Sequence, residues 1–143
     1  MAQFPAADVL ALLAEDKWVG DFEIDLGDDA EVEVCSDDEI INGRGWPLRV
    51  CARYRESPFL LRISVRVNSE HLARYDSDEH KKLRPHLHHY DGTTKMHKNV
   101  TGVPSEIQNP SSASLPEIFR GVLDYWKVGH TSVIVHRRGM RLL

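Results

Sequence analysis

Between residues 48 and 67 the chain alternates apolar and polar side chains with a period of two, which limits what this region can fold into. Leu48, Val50, Ala52 and Tyr54 share one parity, and Arg49, Cys51, Arg53 and Arg55 share the other. After Ser57–Pro58 the pattern returns, with Leu61, Ile63, Val65 and Val67 against Arg62, Ser64 and Arg66. Successive side chains of a strand point to opposite faces, so both segments predict strands with one dry face. Clean alternation of this kind belongs to an antiparallel sheet that is covered on one side only. The arginines would line the other side.

The flanking segments extend this frame. Ala6, Val9, Leu10 and Leu13 recur at helical spacing after Pro5, predicting a short amphipathic helix over 5–15. The period then changes to two. Phe22, Ile24 and Leu26 alternate with Asp21, Glu23 and Asp25, and Val32 and Val34 alternate with Glu31 and Glu33 beyond Gly27–Asp28–Asp29. We read this as a hairpin with an acidic outer face. LARYD is expected as a further strand, and the Pro-, Ser- and Asn-rich stretch 99–113 as a mobile loop. Ser114 and Glu117 have capping-box spacing and open a helix to about Lys127. TSVIVHRR follows as a last strand. The expected fold is α+β in one domain over 1–143: a mainly antiparallel sheet, two helices packed on one face, and a His-rich loop. Within it, 1–40 forms the acidic helix and hairpin, 41–113 the basic sheet and His-rich loop, and 114–143 the last helix and strand.

Charge divides along the chain. Residues 1–40 hold thirteen acids against the single base Lys17, whereas residues 41–143 hold seventeen bases against nine acids. Such a split suits internal pairing or a dipolar surface that selects partners by sign. No segment has the roughly 18 consecutive apolar residues of a membrane span. The first residues lack the basic region of a secretory signal. Two cysteines, Cys35 and Cys51, are too few for a disulfide framework, so they are expected to pack as thiols in a reducing cytoplasm.

Chemistry concentrates between Arg74 and Lys98. Five of the eight histidines lie there (His80, His86, His88, His89 and His97), among Asp76, Asp78, Glu79 and Asp91. Histidine carries protons near neutrality, binds metals and contacts anions. His86 and His88 share one parity at strand spacing, and Asp76 precedes His80 by four residues. Asp76, His80, His86 and His88 form the candidate catalytic set. They are equally the candidate ligands of a divalent metal. A metal-free acid–base site with a guanidinium clamp stays open beside it, as does a solvated polar loop without specific chemistry. Arg74, Arg62 and Arg66 are the candidate phosphate-binding residues. Their alternative is cross-strand pairing with Asp21, Glu23, Glu31 and Glu33. No HExxH, zinc-finger spacing, phosphate loop or dinucleotide fingerprint occurs.

ARYDSDEHKKLRPHLHHYDG resembles the TumE-type toxins of bacterial toxin–antitoxin modules. The Arg-Tyr-Asp triplet maps to Arg74-Tyr75-Asp76, the following histidine to His80, and the Pro-His and His-x-His element to Pro85, His86, His88 and His89. The resemblance covers about residues 48–127 and does not extend to the acidic segment 18–35. It implies a module context and an antitoxin partner, often a helix-turn-helix protein. With the histidines and arginines it points to a toxin acting on RNA or another nucleic acid, as an RNase or phosphotransfer enzyme. The rival is a non-enzymatic phage or defence-system protein that binds its partner through charge.

Overall fold

The computed structural model describes residues 5–77, 85–90, 95–99 and 105–143. Helix α1 (Ala6–Ala14) leads into β1 (Lys17–Asp25) and β2 (Glu31–Cys35). Strands β3 (Leu48–Arg55), β4 (Leu60–Val67) and β5 (Glu70–Asp76) follow, then β6 (His86–Tyr90) and β7 (Lys95–Asn99). A short helix α2 (Ser105–Gln108) and a 3-10 turn (Pro110–Ser112) precede α3 (Leu115–Tyr125), β8 (Val128–Arg137) and β9 (Met140–Leu142).

Strands β2 to β7 form a six-stranded antiparallel sheet in sequence order. The predicted parities hold: Leu48, Val50, Ala52, Leu61, Ile63, Val65, Ala73, Tyr75 and Leu87 are all buried in one apolar core. The helices close over that face. Ile118, Phe119, Val122 and Leu123 of α3 join the core, and Ser114 caps the helix in the expected box with Glu117. Leu12 and Leu13 of α1 enter the same cluster.

The 18–35 segment departs from expectation. β1 and β2 do not form a hairpin but belong to different sheets. β1 pairs in parallel with β8, and β9 adds to β8, giving a second sheet of three strands. Phe22, Ile24, Leu26, Val133 and Val135 are its buried face. Phe22 meets Phe119 at 5.7 Å, and the Arg137 guanidinium lies 5.0 Å over Tyr54 of β3. Placing β1 beside β8 buries its apolar parity under α3 and the large sheet, which a free hairpin could not do. Residues 40 and 41 link the sheets: Ile40 bridges to Leu48 and Ile41 to Trp18. Trp18 is half exposed, and its ring lies across Gly129. A Cβ at Gly129 would stand 2.7 Å from that ring, so any larger residue there would have to displace the Trp18 side chain.

Two other segments are more ordered than their composition suggests. Ile107 is fully buried, and its carbonyl accepts the Tyr75 hydroxyl at 2.8 Å, so the part of 99–113 described from residue 105 onward packs as structure. His86, His88 and His89 stand in strand β6 rather than in a loop.

Lys17 closes α1. Its ammonium donates to the carbonyls of Leu12 (2.7 Å), Leu13 (3.3 Å) and Glu15 (2.6 Å) at the helix end, where the last carbonyls lack the full set of helical partners. Burial pushes its pKa down to about 8 from 10.5, against the opposing charges of Glu15 and Asp16. The unfolded chain therefore binds more protons than the folded one between these values, and stability from this group rises with pH there. Relative to Lys17→Met, the wild type should gain about 2 kcal/mol between pH 7.5 and pH 10. Urea titrations of both proteins at the two pH values check this; a constant difference would refute it.

Candidate functional site

The second face of the large sheet is polar, and its register arranges the candidates in rows. One row runs Glu33, Arg53, Arg62, Asp76, His86 and Asn99 across β2 to β7. The next runs Cys35, Cys51, Ser64, Arg74, His88 and His97. Directly opposed residues of neighbouring strands lie within side-chain reach, and long side chains also span the diagonals.

Asp76 is the centre of this face. Its Oδ1 lies 2.9 Å from Arg62 Nε, and its Oδ2 lies 2.9 Å from an Arg74 terminal nitrogen and accepts Arg74 Nε–H at 3.1 Å. His88 Nε2 is 3.0 Å from the same oxygen. Asp76 and His88 are almost entirely buried, whereas the Arg62 and Arg74 side chains keep 31% and 23% of their surface exposed. Two guanidiniums thus converge on one carboxylate from positions that also face solvent. The backbone beside it is fixed, because Ser77 N donates to Leu61 O at 2.9 Å and Leu61 N donates to Ser77 Oγ at 2.8 Å.

The other candidates fall around this centre. The backbone of His86 pairs with Asp76 in register. His80 lies outside the described residues. Arg66 does not join the cluster: it donates to Ser64 Oγ at 3.0 Å and to Glu33 at 2.9 Å. His71 lies opposite Arg66, and burial, helped by Arg66 and Arg74, pushes its pKa below the ordinary imidazole value. His89 has the opposite parity and is buried on the apolar side. Among the described residues, no group of three or more His, Cys, Asp or Glu is placed to hold a metal ion.

The remaining arginines follow the pairing alternative. Arg53 and Arg55 both meet Glu31, and Arg49 meets Glu39. These contacts and Arg66 hold the carboxyl groups of Glu31 and Glu33 below the ordinary carboxylate range, mainly through the hydrogen bonds from Arg53 and Arg66. Asp21 and Glu23 do not take part. They sit on the other sheet, where they contact Ser132 and His136.

Sequence reasoning missed three features. Cys35 and Cys51 are not packed thiols: they stand directly opposite on β2 and β3 and form a disulfide with a Cα separation of 3.9 Å. Their shared outward parity on adjacent strands was the available signal. Ser64 and Ser77, buried beside the cluster, follow from the same parity and from the strand end. No protein-family model, curated protein or solved structure matches the chain.

Proposed function

We propose that this chain is the toxin of a toxin–antitoxin module and acts on RNA as a phosphodiester-cleaving enzyme. The observation that carries the reading is the buried Asp76 carboxylate held between Arg62, Arg74 and His88. One carboxylate faces two guanidiniums, so positive charge is left over where both arginines reach solvent. Guanidinium forks match phosphate oxygens in geometry and charge. His88 is too deeply buried to meet a substrate, and in this reading it is a positioning residue that fixes Asp76 and the ends of both arginines. His86, whose backbone pairs with Asp76, is assigned the acid–base role. A base removes the proton of a ribose 2′-hydroxyl, the oxygen attacks phosphorus, and the 5′-oxygen departs with a proton from an acid. The products are a cyclic phosphate and a free 5′-hydroxyl.

Induced expression in a bacterial host tests the reading. Wild type should arrest growth, and His86→Ala should relieve the arrest while folding to the same stability within about 0.5 kcal/mol. Purified wild type should cleave an RNA oligonucleotide and spare its all-deoxy analogue. Growth arrest that persists in His86→Ala would remove His86 from the mechanism.

The rival reading, a non-enzymatic protein that binds its partner by charge, draws on one observation. Asp21, Glu23 and Asp25 are exposed together on β1. The same face suits a basic antitoxin. Charge reversal at these three positions separates the readings: it should cost partner binding and leave RNA cleavage in place.

A further inference from the structure

We propose that the Cys35–Cys51 disulfide is a redox latch that controls whether phosphate groups reach Arg53, Arg55 and Arg66. The proposal rests on the nucleic-acid reading for its ligand, RNA, and adds a regulation of that surface. Among the described residues, strand β2 is an edge of the large sheet with β3 as its one hydrogen-bonded neighbour strand. Its two apolar residues, Val32 and Val34, are only half-buried. Its other two outward residues, Glu31 and Glu33, are the carboxylates that occupy Arg53, Arg55 and Arg66. Exposed ion pairs of this kind contribute little to holding a strand in place. Beyond its five-residue ladder with β3 and the partial packing of Val32 and Val34, the disulfide is the covalent attachment of a strand whose side chains neutralise three arginines.

Access and position suit reduction. Cys35 is exposed and Cys51 is buried. A thiolate of a dithiol reductant attacks Cys35 Sγ, and the S–S bond breaks with Cys51 leaving as a thiolate that takes up a proton. The second reductant thiol then displaces Cys35, which leaves as a thiol, and the reductant becomes a disulfide. Release of β2 frees Arg53 beside Arg62, with which it is paired in register, and Arg66 beside Ser64 and Arg49. These arginines then extend the Arg62 and Arg74 cluster into a continuous cationic face.

The test compares oxidised protein with protein reduced by dithiothreitol, using anisotropy of a labelled single-stranded RNA and, separately, heparin. Reduction should raise affinity about tenfold or more and steepen the plot of log K against log salt by about 2, as for three further phosphate contacts on a single strand. Amide exchange should rise in residues 31–35 and stay protected in β4 and β5. Glu31→Gln/Glu33→Gln retains the disulfide and should bind RNA in the oxidised state as tightly as reduced wild type. Equal RNA affinity of both redox states, or no gain in the double glutamine variant, would overturn the latch and leave the nucleic-acid reading standing. Heparin binding that follows the redox state with no RNA binding in either state would support the latch and overturn RNA as the ligand.

Discussion

Asp76→Ala should lower the stability of the folded protein by about 3 kcal/mol. Removing a buried carboxylate leaves Arg62, Arg74 and His88 facing one another without the group that joins them. The loss should fall at the lower end of the 3–5 kcal/mol typical of broken buried pairs, because both arginines keep partial contact with water. Asp76→Asn retains an acceptor oxygen and should cost less. Urea denaturation should show a lower midpoint with an unchanged slope. A loss under 1 kcal/mol would mean that the cluster does not organise this end of the sheet. Asp76→Ala would mix any effect on activity with this loss of stability, which is why His86 carries the functional test.

Cys35→Ser/Cys51→Ser should also cost about 3 kcal/mol. The bridge closes a segment with a sequence separation of 16 residues, and the constraint on the unfolded chain scales with the logarithm of that length. For a chain of this size the melting temperature should fall by roughly 10 °C. Adding reductant to wild type should reproduce most of the shift, and reductant should leave the double serine variant unchanged. A melting temperature indifferent to reductant would show that the strand pairing alone holds the segment.

The antiparallel part of the fold was legible because its information is local. Leu48 to Val67 announce both strands and both faces within twenty residues, and parity alone places Arg49, Arg53, Arg62 and Arg66 on one side. The same parity, continued through Arg74-Tyr75-Asp76, brings Asp76 opposite Arg62. The β1 segment was misread for the opposite reason. Gly27–Asp28–Asp29 is a good turn between two alternating stretches, and nothing nearby reveals that Asp21 pairs with Ser132, 111 residues away. The disulfide was passed over on number rather than geometry: two cysteines make no framework, yet register sets them face to face. His88 at Asp76 needed only the register of β6. Its burial depends on tertiary packing that no spacing conveys.

The parallel pairing of β1 with β8 has a consequence for synthesis. A ribosome releases Lys17–Asp25 long before Val128–Arg137, and the roughly 100 intervening residues take about 5 to 20 s to emerge. Through that interval β1 has no ladder, and Phe22, Ile24 and Leu26 have no sheet to complete. The β3–β4–β5 meander needs only neighbouring segments and can assemble as it appears. The nascent chain therefore holds a finished arginine face and an unfinished second sheet, and its apolar first strand depends on chaperones or on staying extended until translation reaches β8. Nonsense truncations before residue 128 should collect in aggregates even where the large sheet is intact.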